Sequence, residues 1–264
     1  LLGMPSALGI SCVWEPNVFD GRDAEFSGTY GHDATGRFAP WVVRGEGGIK
    51  IEPCVGMEDA TRDANGIRAC EWYLAPKESL KPVIVPPYKY PVSGKDFLIT
   101  SVMSPIVANG VFYGTAGVDF VLDTLQEQAD AINVFEGEGK LNLIATNGVL
   151  AGTTGRPELV GGTLKELYPN DYEKKLESIR SGDRLVINDG ETLSIFVPIR
   201  FGDIASPWSA NITVPMEIIT NSAMDAMLTM VLIGIAMLVV ALFLLWLAAG
   251  TISRPIRDDV QSLE

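Results

Sequence analysis

The feature that most constrains this chain is an apolar run near its C-terminal end. No Asp, Glu, Lys or Arg occurs from Ala226 to Ser253. About 20 apolar residues suffice for a helix to cross the hydrocarbon core of a bilayer, so this run is long enough to span a membrane. A buried helix of a soluble protein is the alternative, but such helices seldom stay uncharged for so long. The sequence therefore predicts one transmembrane helix, which we place at residues 223–250.

The charges that flank the run predict its orientation. Arg254 and Arg257 follow it directly, whereas Asp225 is the last charged residue before it. Because Lys and Arg collect on the cytoplasmic side of membrane helices, residues 1–222 are expected outside the cytoplasm and the C-terminus inside it. The chain begins at Leu1, and no second apolar run precedes the exterior region. We therefore expect a further membrane segment upstream.

The composition excludes several classes of function. The 20 Lys and Arg against 33 Asp and Glu give a net charge of −13, which is unfavourable for contacts with phosphates, so no nucleic-acid partner is expected. The hydrophobic content of 47% excludes a disordered chain. A single His, three Cys and scattered acids leave little for a metal site or a His-based triad. We expect no cofactor, no metal and no catalytic residues.

The residue pattern before the apolar run predicts a mixed α/β fold. Asn109-Gly110 is a strong hairpin signal because both residues tolerate positive φ. Helices are predicted at Leu122–Asn133, at Leu164–Arg180 and at Met216–Ala226, the last leading directly into the apolar run. Runs rich in β-branched and aromatic residues predict the following strands: Ile49–Cys54, Pro82–Pro86, Phe97–Pro105, Val111–Phe120, Leu141–Thr146, Arg184–Ile187, Leu193–Arg200 and Ser209–Pro215.

Two parts of the exterior show the same order of elements. Residues 97–122 and 193–219 each predict a strand with a Pro-Ile pair, a turn, a second strand and a helix. Coincidence between two hairpins is the alternative. We divide the exterior into a distal module at residues 1–125 and a proximal module at residues 126–222.

Residues 17–48 are rich in Gly, Asp and Arg and have no periodicity, which is typical of a functional loop. The exterior also holds Cys12, Cys54 and Cys70, of which at most two can form a bridge within the chain. A bridge between Cys54 and Cys70 would brace the polar loop between them. The bridged and the reduced forms both stay open at this point.

Several segments resemble a known family in their order along the chain. The segments DGRDAEF, HDATGRFAPW, IKIEP, EWYLAPK, PPYKYPVSGKDFLITS, SPIVANG and GTAGVDFVLDTLQ resemble the distal module of a double Cache sensor domain. The segment IATNGVLAGTTG resembles the proximal module, and ISRPI resembles the start of a HAMP linker at residues 251–264. The resemblance implies an α/β (α+β) fold of two PAS-like modules with antiparallel sheets, followed by the transmembrane helix. It also implies a receptor of the bacterial inner membrane, most often a methyl-accepting chemotaxis protein.

In that family the distal module binds the ligand. Its amino-acid-binding branch has an Arg two residues before a Trp-Tyr pair, then Tyr-x-Asp, then an Asp at the end of the last strand. Cys70 stands at the Arg position and Tyr90 at the first Asp position. Because Cys cannot form the forked salt bridge of an Arg with a carboxylate, this departure argues against an amino-acid ligand. The matching positions are Trp72, Tyr73, Tyr88 and Asp119.

The residue types themselves also suggest a ligand. Aromatic faces around one carboxylate suit a cationic ammonium group. The alternative is that the aromatic residues form ordinary core and that Asp119 caps the following helix. Trp41 and Arg44, from the irregular segment, are expected to roof the pocket. The candidate ligand-binding residues are Trp41, Cys70, Trp72, Tyr73, Tyr88, Tyr90 and Asp119.

These observations predict the sensing region of a transmembrane chemoreceptor, without catalysis. A cationic amine or quaternary ammonium compound is the favoured ligand, and an amino acid is the next. The expected partners are the membrane, a second copy in a homodimer and cytoplasmic signalling proteins. The alternatives are the sensor region of a histidine kinase or diguanylate cyclase and a membrane-anchored exported enzyme or scaffold.

Overall fold

The computed structural model describes residues 1–45, 47–63, 66–92 and 94–261, and of residues 222, 223, 225 and 248–261 it describes the backbone only. Residues up to Val214 form one compact unit, and Pro215 begins a second. The first unit contains two antiparallel sheets with helices beside them, which confirms the predicted mixed fold.

The first sheet has six strands in the order β3-β2-β1-β6-β5-β4. The two-residue turn between β5 and β6 is Asn109-Gly110, and both residues have positive φ, 51° and 75°, as this type of hairpin requires. The predicted hairpin is therefore confirmed. The strands of this sheet are β1 (Gly9–Trp14), β2 (Pro40–Gly45), β3 (Gly48–Pro53), β4 (Val83–Val92), β5 (Lys95–Ala108) and β6 (Val111–Val121).

The second sheet has five strands in the order β8-β7-β11-β10-β9. Its order β10, turn, β11, helix repeats the order β5, β6, helix of the first sheet, and a Pro-Ile pair lies in β5 and again in β10. This parallel supports two related modules, although the boundary at residue 126 stays a prediction. The strands are β7 (Lys140–Ile144), β8 (Leu150–Thr153), β9 (Leu185–Asn188), β10 (Thr192–Ile199) and β11 (Trp208–Pro215).

The helices differ from the prediction at two places. Helix α1 was not predicted because Pro76 lies inside it. The single helix predicted at Leu164–Arg180 is wrong, since Pro169 cannot continue a helix and the segment forms two. The helices of the first unit are α1 (Glu71–Ser79), α2 (Leu122–Ala131), α3 (Leu164–Leu167) and α4 (Tyr172–Ser181).

The prediction of an irregular segment at residues 17–48 is wrong at its end. Residues 40–45 form β2, which pairs with both β1 and β3. Residues 17–39 contain one short 3-10 helix, Asp23–Glu25, and turns. One of these turns is held by the Asp33 carboxylate, which accepts hydrogen bonds from the backbone N–H groups of Thr35 and Arg37.

The second unit is a single helix, α5 (Met216–Gln261). Residues 216–247 are long and apolar enough to cross a membrane, with a mean hydropathy of 3.0 over the most apolar stretch. The large apolar side chains described between Met227 and Leu247 are exposed, as expected for a surface that faces lipid. The predicted helix from Met216 into the span is confirmed. Residues 262–264 lie outside the described residues, and the HAMP linker stays a prediction.

Candidate ligand-binding site

A small cavity lies between the first sheet and α1. Its volume is about 10 Å³, which is room for one water molecule. The lining side chains come from β1, β2, β4, β5, β6, α1 and the segment after β3. They are Ser11, Trp41, Cys54, Trp72, Tyr88, Tyr90, Ile99 and Asp119.

Asp119 is the charged group of the cavity and is 5% exposed. The indole Nε1 of Trp41 donates a hydrogen bond of 2.7 Å to Oδ2, and the Ser101 hydroxyl donates one of 2.5 Å to Oδ1. The register of the sheet brings these groups together, because Ser101 lies opposite Asp119 on β5 and Gly9 lies opposite it on β1. A side chain at Gly9 would occupy the place of the Trp41 indole, since a Cβ there would lie 2.3 Å from Nε1.

The hydrogen-bond chain continues to Tyr88. The hydroxyl oxygens of Tyr88 and Ser101 are 2.8 Å apart. Because Ser101 gives its only hydroxyl proton to Asp119, Tyr88 must donate to Ser101. Burial raises the pKa of Tyr88 well above its usual range, so this side chain keeps its proton.

Burial also changes the electrostatics of Asp119. It raises the pKa of the carboxyl group from 3.8 to about 6, while the hydrogen bonds from Ser101 and Trp41 act in the opposite direction. At pH 7 the carboxylate is therefore mostly charged, and within the described residues its hydrogen-bond partners are both neutral. A buried anion without a cation attracts a cationic ligand.

Aromatic rings surround this carboxylate. The Tyr90 ring meets three others edge to face, at centroid distances of 5.3 Å to Trp41, 6.2 Å to Trp72 and 6.2 Å to Tyr88. The indole N–H of Trp72 is buried, and no acceptor for it exists among the residues that the structure describes. Such a donor calls for a water molecule or a ligand acceptor.

The structure brings five of the seven predicted site residues together at this cavity. These are Trp41, Trp72, Tyr88, Tyr90 and Asp119. The alternative that Asp119 caps α2 is wrong. The N-terminal cap of α2 is Val121, and no side chain makes a capping hydrogen bond there.

Tyr73 does not line the cavity. It follows Trp72 on α1, and its hydroxyl group bonds to Glu15 and to the buried Arg37 instead. The Arg37 guanidinium lies 4.8 Å from the centre of the Tyr73 ring, and Lys77 Nζ is 2.7 Å from Glu15. This network fixes α1 to the sheet, which is a structural role.

The structure decides between the two forms of the cysteines that the sequence left open. All three are free thiols, so the bridge between Cys54 and Cys70 is absent. Cys70 is buried at the start of α1 and does not line the cavity, whereas Cys54 does. Burial raises the pKa of the Cys54 thiol well above its usual range, which makes this thiol unreactive.

Arg44 does not roof the cavity either. Its Nε donates to the carbonyl of Ala7 and its Nη2 to that of Leu1, at 3.0 and 2.9 Å, so it holds the N-terminal segment. Sequence reasoning missed Ser11, Cys54 and Ser101. Ser101 lies one residue from Thr100, the residue that a regular hairpin would place opposite Asp119, and the bulge in this hairpin has no signal in the sequence.

The described fold has two antiparallel sheets, with a small polar cavity beside the first. Residues 6–127 match the family model of the first PDC sensor domain of methyl-accepting chemotaxis protein-like sequences. Residues 6–127 are therefore similar to the first sensor domain of chemoreceptors.

Individual relatives agree with this class. Methyl-accepting chemotaxis protein TlpQ of Pseudomonas aeruginosa is 27% identical, and the match covers 97% of this chain but only 38% of that protein. Among solved structures, the extracellular domain of mmHK1S-Z3, assigned as a histidine kinase, is 26% identical, with a TM-score of 0.72 over 85% of this chain and 79% of that one. Methyl-accepting chemotaxis protein X is 25% identical, with a TM-score of 0.61 over 81% and 77%.

Proposed function

We propose that this chain is the ligand-sensing region of a bacterial transmembrane chemoreceptor and that it binds a cationic amine or a quaternary ammonium compound. The observation that carries the proposal is the buried Asp119 carboxylate, which shares its cavity with four aromatic side chains and has only neutral hydrogen-bond partners among the described residues. Each cation–π contact contributes about 0.5–2 kcal/mol, so two or three faces with one carboxylate support micromolar binding.

The charges near the cavity favour an amine over an amino acid. Of the described residues that line it, none is Lys or Arg. Arg68 lies two residues before Cys70, which holds the position of the family's arginine. Its guanidinium already forms ion pairs with Glu71 and Glu78, at 2.6 Å each, and is not available for a ligand carboxylate. A ligand carboxylate in this cavity would be close to Asp119 with no guanidinium to neutralise it.

The proposed signalling route uses the continuity of the chain. Strand β11 ends at Pro215, and α5 begins at the next residue. Ligand binding would bias two packings of the proximal module and so shift the membrane helix. We place residues 1–125, 126–222, 223–250 and 251–264 as distal module, proximal module, membrane helix and start of a HAMP linker. The C-terminal end is cytoplasmic in this proposal, and the receptor acts as a homodimer.

The output of the receptor is a second question. The structural similarity to mmHK1S-Z3 favours the sensor region of a histidine kinase as the alternative to a chemoreceptor. The match covers 38% of TlpQ. The cytoplasmic partners in this proposal bind parts of the receptor outside the matched region. Both alternatives share the same exterior sensor, and neither assigns an enzymatic reaction to this chain.

A matched pair of ligands and a matched pair of variants test the binding proposal. We expect calorimetry on the protein in detergent micelles to show binding of n-butylammonium but not of n-butanol, which has the same chain and no charge. Asp119→Asn keeps the shape and removes the charge, so affinity should fall at least about tenfold, or about 1.4 kcal/mol. Asp96→Asn, at an exposed position of β5, is the control. Equal affinity of wild type and Asp119→Asn would reject the amine.

A further inference from the structure

The cavity at Asp119 cannot hold a substituted amine as it stands. We call it the inner cavity, and its 10 Å³ accommodates one water molecule. A larger outer cavity of about 550 Å³ lies beside it. The outer cavity is lined by Thr61, Arg62, Asp63, Ile67, Arg68, Ala69, Pro87, Tyr88, Lys89, Leu98, Val160 and Gly161.

Tyr88 is the residue that lines both cavities. Its side chain is held by one neutral hydrogen bond, from its hydroxyl group to Ser101. Rotation of this ring would join the two spaces, and it would exchange the bond to Ser101 for one with water and give up the packing against Tyr90.

We propose that the outer cavity is a second subsite, which takes the apolar substituent of the amine while the ammonium group lies at Asp119, and that Tyr88 is the gate between the two subsites. This inference rests on the proposed function, because it assumes an ammonium group in the inner cavity. It assigns the ligand to primary amines that carry one extended apolar substituent.

The lining of the outer cavity fits such a substituent. Ile67, Pro87, Leu98 and Val160 supply apolar wall. The charged residues at its edge are Arg62, Asp63, Arg68 and Lys89, and Arg68 is paired with Glu71 and Glu78.

The outer cavity is also formed by both modules. Val160 and Gly161 belong to the segment before α3, whereas Leu98 lies on β5. The two segments approach closely, since a Cβ at Gly161 would lie 2.7 Å from Leu98 Cδ2. An alkyl chain in this subsite would contact both modules at once, so binding there would change the contact between them.

A homologous series of ligands tests the outer subsite. We expect calorimetry on the full chain in micelles with methyl-, n-butyl- and n-hexylammonium to show about a fourfold gain in affinity per methylene once the chain passes Tyr88. Ala69→Leu narrows the outer cavity at an exposed position and should remove this gain without changing the affinity for methylammonium. If methylammonium binds in an Asp119-dependent manner but the longer amines bind no tighter, the outer subsite is wrong and the proposed function stands. If no amine binds, the proposed function itself fails.

The gate is tested without any ligand. In Tyr88→Phe, which lacks the bond to Ser101, we expect the indole N–H of Trp72 to exchange with water at least about fivefold faster by NMR, with no change at Trp208. Tyr90→Phe is the matched control, because Tyr90 lines the inner cavity and not the outer one. Unchanged exchange in Tyr88→Phe, or equal acceleration in Tyr90→Phe, would overturn the gate.

Discussion

Replacing Asp119 by Asn should raise the free energy of unfolding of the unliganded protein by about 3 kcal/mol at pH 8. Burial raises the pKa of this carboxyl group from 3.8 to about 6. At about 1.36 kcal/mol per pH unit, that difference corresponds to about 3 kcal/mol of cost for keeping the group charged in the folded state. Asn removes the charge and fills the same space, and its amide fits if its oxygen accepts from Trp41 and its NH2 group donates to Ser101, which then donates to Tyr88.

The pH dependence follows from the sign of the shift. Because the folded state holds the proton more tightly than the unfolded state, the stabilising effect of the proton is complete below pH 3.8 and is lost as the pH rises through 6. The advantage of Asp119→Asn should therefore shrink below about 1 kcal/mol at pH 4. Urea denaturation in micelles, followed by tryptophan fluorescence, measures both values.

The control for this prediction is Asp96→Asn, which removes an exposed carboxylate from the same sheet. Its free energy of unfolding should stay within about 0.5 kcal/mol of wild type at both pH values. An Asp119→Asn variant that is less stable than wild type at pH 8 would mean that the carboxylate stabilises the empty protein, against the role proposed for it.

Gly9→Ala should weaken amine binding by about 2- to 30-fold. Gly9 has no positive φ, so its backbone accepts Ala, but the new Cβ would lie 2.3 Å from Trp41 Nε1. The indole must then move away from Asp119. The carboxylate then loses the donor that orients it, and one aromatic wall of the cavity, which contributes about 0.5–2 kcal/mol as a cation–π contact, is displaced with the indole. Calorimetry with n-butylammonium measures the effect.

Gly3→Ala is the matched control for this substitution, because no atom lies within 4 Å of a Cβ at Gly3. Its affinity should equal that of wild type. If Gly9→Ala also binds n-butylammonium as tightly as wild type does, Trp41 does not hold the carboxylate in the binding-competent state.

The extent to which the sequence predicts the site depends on one irregularity in the first sheet. A regular hairpin around Asn109-Gly110, extended from the pair Ala108 and Val111, would place Asp119 opposite Thr100. A bulge between Ile106 and Val107 shifts the register by one residue, so that Ser101 lies opposite Asp119. Since a one-residue shift changes which face a side chain occupies, a partner of Asp119 could not be derived from the turn alone.

The aromatic residues show the same limit. Asp119 lies on a predicted strand, whereas the strand predicted at Pro82–Pro86 ends before Tyr88 and Tyr90, which β4 contains. Trp72 and Tyr73 lie on α1, which the sequence does not predict because Pro76 lies inside it. Consecutive residues of a helix point about 100° apart. Trp72 therefore lines the cavity while Tyr73 bonds to Glu15 and Arg37.

The central claim is that a cation binds the Asp119 carboxylate, and the pH dependence of that binding tests it most directly. With a pKa of about 6, roughly nine tenths of the carboxyl groups are protonated at pH 5 in the free protein. Calorimetry with n-butylammonium should therefore show about tenfold weaker binding at pH 5.0 than at pH 7.5 in wild type, and weak, pH-independent binding in Asp119→Asn. Equal affinity of the wild type at both pH values would contradict the account.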